Sequence, residues 1–214
     1  MKHTAISHFV GLSMLTALVV VLQSVGGGIA FGGFSITLVL IPVVVGAALY
    51  GPKDAAFLGG VFGVIVFINC ANGTDLGGNM VFVANPYLCA LVCIGKGILS
   101  GLASGLAYRG ILKILECKSQ EEAQENGQEN KSVFRSYCGV FAAAIVAPVV
   151  NTGTFILGML LFFKGTLDSW ASGTPIFSYI IFGLTGVNFL IELGVNLVFA
   201  PAITTIIRVV RKNK

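Results

Sequence analysis

The chain has 214 residues, of which 56% are hydrophobic and only 10% are charged. A soluble domain carries roughly 25% charged residues, so this composition excludes an ordinary water-soluble fold, and the high hydrophobicity excludes intrinsic disorder. The net charge is +4, and the basic residues lie at the ends of apolar segments instead of forming one face, which argues against nucleic-acid binding.

Long apolar segments predict transmembrane helices, because a helix needs about 20 apolar residues to cross a bilayer. A transmembrane β-barrel would instead require short strands of alternating polarity. We therefore predict an all-α fold, a single polytopic membrane domain over residues 1–214. Its six helices are placed at about residues 4–24, 34–50, 53–70, 86–109, 136–164 and 178–208.

The positions of lysine and arginine predict the orientation, because short cytoplasmic loops carry an excess of these residues. With both termini in the cytoplasm, 11 of the 13 basic residues lie on the cytoplasmic side. Lys96, within the fourth helix, and Lys164, at an outer edge, are the exceptions. Residues 110–135 then form a polar cytoplasmic loop. Its segment 116–131 is interpreted as solvated chain or a frayed helix end, with a regulatory or partner contact as the alternative.

Nucleotide-hydrolysing and hydrolytic motifs are missing from the sequence. The phosphate-binding pattern G-x-x-x-x-G-K-S/T does not occur, nor do H-E-x-x-H and G-x-S-x-G. We predict a protein that is not an enzyme and has no cofactor; an intramembrane enzyme using Lys96 and Glu192 as acid and base is the weakest alternative. Cys89 and Cys93 share a helix face, but no His, Asp or Glu neighbours them, so they are interpreted as small buried hydrophobic residues and no metal site is predicted.

Lys96 and Glu192 are ionisable residues within predicted membrane helices. Such residues are costly in lipid and therefore indicate a functional site. Polar residues at helical spacing accompany them and form three stripes, which comprise Lys96, Ser100 and Ser104 on helix four; Asn151 and Thr154, after Pro148, on helix five; and Thr185, Asn188, Glu192 and Asn196 on helix six.

The three stripes predict an internal cavity for a small polar ligand, with Lys96 meeting an acidic group. The alternative is an ion pair between Lys96 and Glu192, with interhelical hydrogen bonds that only hold the helices together. Asn151 and Asn188 are the stronger candidates for ligand contact, because an amide both donates and accepts hydrogen bonds.

Three further candidates lie near the outer ends of the helices. Asn85 ends the glycine-containing segment 76–85, Trp170 lies in segment 167–173, and Phe34 follows the glycine-rich segment after helix one. Loops of this kind can close over a ligand. The alternatives are a membrane-interface position for Trp170 and a plain connection between helices for the segment that contains Phe31 and Phe34.

Residues 34–59 resemble the second and third helices of the substrate-binding S components of energy-coupling factor (ECF) transporters. Further marks are the segments 60–63, 96–101 and 148–153, and the most specific stretch is Ile41-Pro42 to Gly51-Pro52. The similarity extends over all six predicted helices.

The resemblance implies a six-helix protein of the bacterial plasma membrane that captures a water-soluble vitamin from outside. Such subunits dock on a transmembrane coupling subunit driven by two cytoplasmic ATPases. The family commonly carries an Ala-xxx-Ala docking pattern in helix one; Ser13 and Ala17 are the match here, with serine for the first alanine. The family's pocket would correspond to Lys96, Asn151, Asn188 and the Phe31–Phe34 region.

A lysine at the pocket suits a vitamin with a carboxylate, and the amides and hydroxyls favour a pantothenate-like ligand as the first choice. Folate, biotin, riboflavin, cobalamin and a modified-base precursor are the other possibilities. The alternative function is a stand-alone ion-coupled secondary transporter, in which Glu192 carries the proton or sodium ion.

Overall fold

In the computed structural model of the chain, residues 2–26, 30–31, 34–35, 38–121, 128–171, 173, 175, 178–180 and 185–212 are described. Their helices and strands are, in chain order, α1 Lys2–Gly26, β1 Ala30–Phe31, β2 Phe34–Ser35, α2 Leu40–Leu49, α3 Pro52–Ala71, α4 Leu76–Ala84, α5 Pro86–Glu121, α6 Gln128–Phe162, α7 Lys164–Ala171 and α8 Gly186–Lys212.

Five of these helices are long and apolar enough to cross a membrane. The spans are Ile6–Gly26 in α1, Pro52–Ala71 in α3, Pro86–Cys117 in α5, Phe134–Phe162 in α6 and Asn188–Val210 in α8. The predicted helical, multi-pass architecture is therefore confirmed at this level. A ladder of two-residue strands, β1 and β2, is a small addition to it.

The second predicted helix differs from the structure. The helix α2 has ten residues, which at 1.5 Å each span about 15 Å, half of a bilayer core of about 30 Å. Residues 34–35, expected to be helical, instead pair with 30–31 as antiparallel strands, with Phe31 opposite Phe34. The count of six crossings stays a prediction.

Segments that were expected to be loops contain helices. Residues 76–84 form α4, whose first turn is capped because Asp75 Oδ1 accepts a hydrogen bond of 3.0 Å from the Gly78 amide. The predicted loop 110–135 is helical at both ends, since α5 continues to Glu121 and α6 begins at Gln128. Its Glu, Gln and Lys residues are good helix formers, which a reading based on polarity alone overlooks. Residues 122–127 lie outside the described part.

The helices α3 and α5 are packed backbone to backbone. A Cβ atom added at Gly59 would collide with the Gly97 carbonyl, one at Gly63 with the Cys93 carbonyl, and one at Gly101 with the Ala55 carbonyl. Small residues allow membrane helices to approach this closely. Since any side chain would force the two helices apart, they form a fixed pair that positions Lys96 and the residues around it.

A second interface joins α5 to α6, and α6 in turn packs against α8. Ser100 Oγ donates a buried hydrogen bond of 2.7 Å to the Ala147 carbonyl, which ties α5 to α6 across the interface. Ala143, Ala147 and Ile203 are fully buried in the apolar cluster beside it. A separate apolar cluster, which includes Phe62, Met159 and Leu167, packs α3 against α6 and α7.

Candidate substrate-binding site

A carboxylate and an amide meet between α6 and α8. Asn151 Nδ2 donates to Glu192 Oε2 at 3.4 Å, and each of the two residues is only 4% exposed. Asn151 lies eleven residues before the end of α6, about 16 Å along the helix axis. The structure thus brings together one residue from each of the two stripes predicted on these helices.

The other polar residues of the predicted stripe lie in α8 or just before it. Asn196 Nδ2 donates to the Glu192 backbone carbonyl at 2.8 Å, and Thr185 Oγ1 donates to the Ile180 carbonyl at 2.9 Å. Asn188 is buried one turn before Glu192 on the same face. Thr154, on α6, is half-buried three residues beyond Asn151. The stripe is therefore built partly from bonds within α8 itself.

Two acceptor atoms in this cluster have unused capacity. Within the described residues, Oδ1 of Asn151 and Oδ1 of Asn196 are buried without a hydrogen-bond partner. An unsatisfied buried polar group costs about 1–3 kcal/mol. A donor supplied by a ligand or a water molecule would remove that cost, so the cluster favours binding of a polar molecule.

Lys96 is held by aromatic rings, not by Glu192. Its Nζ atom lies 5.1 Å from the centroid of the Phe155 ring and 5.9 Å from that of Phe62, distances at which a ring attracts a cation. Among the described residues, the basic and acidic side chains that lie within 4.0 Å of each other are those of His8 and Asp54. The alternative in which Lys96 and Glu192 neutralise each other directly is thus not what the structure shows.

Phe155 links the surroundings of Lys96 to the Asn151–Glu192 pair. It follows Asn151 by four positions on α6, so both side chains lie on one helix face. Lys96 is therefore held about one turn further toward the C-terminal end of α6 than the Asn151–Glu192 pair. Lys96 and the Asn151–Glu192 pair are thus neighbours along α6, but they do not form one cluster of contacts.

Lys96 lines a small cavity between α3, α4, α5 and α6. Its volume is about 20 Å³, which is room for one water molecule, whereas small-molecule sites measure about 300–1,000 Å³. The described residues around Lys96 thus enclose space for a water molecule, and a cavity for a larger ligand stays a prediction. The lining residues are Val66, Cys70, Asp75, Gly78, Val81, Cys89, Val92, Cys93, Lys96 and Phe155.

The other candidates near Lys96 have structural partners. Asn85 Oδ1 accepts from the Tyr87 and Leu88 amides, both at 3.1 Å, and so caps α5. Ser104 Oγ donates to the Gly101 carbonyl at 2.9 Å within α5. Trp170 is half-buried on α7 and packs against the apolar cluster that contains Leu167. For Phe34 the structure gives a position in β2, and its side chain lies outside the described part.

Sequence reasoning missed Cys70 and Asp75, which line the same cavity as Lys96. Cys70 is on the last turn of α3, and Asp75 caps α4. Neither belongs to a recognisable spacing with Lys96. They arrive there because α3 packs so closely on α5, and no local pattern in the sequence signals that contact.

A helical, multi-pass membrane chain with buried amides and a carboxylate between its helices is the architecture of a membrane transport subunit. The family described as "ECF transporter, substrate-specific component" matches residues 9–204, and the chain belongs to this family. No curated protein matches the chain. The membership confirms the resemblance seen in the sequence, and it identifies a substrate-binding transport protein of the cell membrane.

Proposed function

We propose that this chain captures a water-soluble vitamin or related micronutrient that carries a carboxylate, with a pantothenate-like compound as the first choice. The observation that carries the proposal is the environment of Lys96, whose ammonium lies between Phe62 and Phe155 with no ion-pair partner in the described part of the chain. A half-buried cation of this kind favours an anionic ligand, because a carboxylate on the ligand can pair with the ammonium.

The amide groups support a ligand with several polar substituents. Asn151 lies one turn of α6 before Phe155, the residue that contacts Lys96, and its Oδ1 atom has unused acceptor capacity. Asn188 is buried on α8. A ligand that donates from hydroxyl or amide groups would satisfy these acceptors while its carboxylate reaches Lys96. The short helices α4 and α7, with Trp170, move to admit the ligand.

The orientation and partners belong to the same proposal. Both termini lie in the cytoplasm, and α2 together with the β1–β2 segment forms the sixth crossing. Ser13 and Ala17 are exposed on α1, on a face that also exposes Phe9 and Met14. This face docks on a transmembrane coupling subunit, which two cytoplasmic ATPases drive. The apolar surface supplies the area and the small residues permit close approach.

Ligand affinity of the purified chain tests the role of Lys96. We expect Lys96→Ala to weaken binding of the carboxylated vitamin by about tenfold or more, which corresponds to about 1.4 kcal/mol. Lys164→Ala is the matched control, because Lys164 is an exposed lysine at the start of α7. Equal affinity of the two variants, within about twofold, would show that Lys96 does not bind the ligand.

Glu192 supplies the specific observation for the second candidate, an ion-coupled secondary transporter. A carboxylate that is 4% exposed in a membrane helix could carry a proton or sodium ion. Glu192→Gln separates the two functions, since it removes the charge and keeps the acceptor oxygen. An S component retains ligand binding and ATPase-dependent uptake in this variant, whereas a secondary transporter loses uptake driven by an ion gradient.

A further inference from the structure

Three cysteines from two helices meet at the outer end of the bundle. Cys70 comes from the last turn of α3, and Cys89 and Cys93 come from the first two turns of α5. All three are buried and reduced. Their sulfur atoms lie within 4.8 Å of one another, and the sulfurs of Cys89 and Cys93 are 4.0 Å apart. The sulfurs of a tetrahedral zinc site, with Zn–S bonds of about 2.3 Å, lie about 3.8 Å apart.

The backbone around the cysteines fixes this arrangement. A Cβ atom at Gly63 of α3 would collide with the Cys93 carbonyl, and one at Gly78 would collide with the Cys70 sulfur and touch the Asp75 carboxylate. The sulfurs are therefore brought together by the rigid packing of α3 and α5, and only glycine fits at these two positions. A site whose donors are already in place loses little conformational freedom when an ion binds.

Charge and space favour a divalent ion with a fourth ligand from solvent. Three thiolates and one divalent ion sum to a charge of −1, and a small net charge is the less costly one to bury. A monovalent ion such as Cu⁺ would leave −2. The cavity of about 20 Å³ holds one water molecule, and open coordination positions in zinc sites are filled by water. Asp75, in the same cavity, can accept a hydrogen bond from that water.

We propose that Cys70, Cys89 and Cys93 bind one thiophilic divalent cation of the Zn²⁺ type, with water as the fourth ligand. Each coordinating thiol gives its proton to solvent when the ion binds. The bound ion links the end of α3 to the start of α5 and fixes the cavity wall beside Lys96. This property is separate from vitamin capture, and it holds whether or not the proposed substrate is correct.

Titration of the full-length protein with Cd²⁺ tests the proposal. In detergent, with a reductant that does not bind metals, we expect sulfur-to-cadmium charge-transfer absorption that saturates at one ion per chain. Cys70→Ser, Cys89→Ser and Cys93→Ser should each weaken binding by more than about 100-fold, because the loss of a group that only supports a ligand already costs 10–100-fold. Cys117→Ser and Cys138→Ser are the matched controls and should bind as the unmutated chain does.

A measurement on the unmutated chain avoids any folding defect of the variants. X-ray absorption of the zinc-loaded protein should show three sulfur atoms at about 2.3 Å and one lighter atom. One sulfur or none at the zinc would overturn the proposal. So would cadmium absorption that survives in the triple serine variant, or a chain whose mass is lower by two hydrogens and which takes up no metal, because the cysteines would then form a disulfide.

Discussion

Two helix interfaces of this bundle are built on opposite principles. Between α3 and α5, glycines such as Gly59 and Gly101 bring the backbones into direct contact. Between α6 and α8, Asn151 and Glu192 bury an amide and a carboxylate, and one amide acceptor is left with unused capacity within the described residues. Shape alone fixes the first interface. The second keeps hydrogen-bonding groups that a ligand can complete, which supports the proposed capture of a polar molecule beside α6 and α8.

Gly101→Ala should produce the largest effect, because the new Cβ collides with the Ala55 carbonyl of α3, which cannot move like a side chain. Overpacking typically costs 1–3 kcal/mol, and here we expect about 3 kcal/mol or more. Thermal unfolding in detergent measures the loss. Gly95→Ala is the control, since a Cβ there meets nothing within 4 Å. Equal melting temperatures for both variants would refute the backbone packing of α3 on α5.

Asn151→Ala should be next in size. It removes the donor that reaches Glu192 at 3.4 Å, and a hydrogen bond to a charged group contributes about 1.5–3 kcal/mol. We expect a loss of unfolding free energy near the lower end of that range and weaker ligand binding as well. If stability falls while the affinity of the folded fraction is unchanged, the α6–α8 cluster is structural only.

Ser100→Ala should have the smallest effect and sharpens the comparison. This serine also bonds across an interface with α6, to the Ala147 carbonyl at 2.7 Å, but it does so within an apolar surrounding. Interhelical hydrogen bonds in membrane proteins average about 0.6 kcal/mol. We therefore expect a loss of about this size in unfolding free energy and no change in ligand affinity. A change in affinity would extend the binding region toward α5.

The long helices could be predicted from the sequence, because each apolar segment is long enough to decide its own structure. The shorter helices α2, α4 and α7 could not be delimited in this way, since ten or fewer residues carry little periodic signal. The predicted segment 76–85 shows the difference. It contains glycines and was expected to be a loop, yet Asp75 caps it as a helix.

Residues that meet across helices were only partly predictable. Asn151 and Glu192 come together as their stripes suggested, whereas Lys96 turns toward Phe62 of α3 and Phe155 of α6. The rotation of α5 that decides this is set by the glycine contacts with α3. The same contacts bring Cys70 to Cys89 and Cys93, which sequence spacing alone gave no reason to expect.

Identification of the small molecule that copurifies with the protein tests the central claim most directly. Mass spectrometry of the denatured, gently purified chain should reveal a water-soluble vitamin with a carboxylate at close to one molecule per chain. The ligand should be lost from Lys96→Ala and kept by Lys164→Ala. A bound compound without an acidic group, retained equally by both variants, would contradict the assignment of Lys96 as the residue that recognises the substrate.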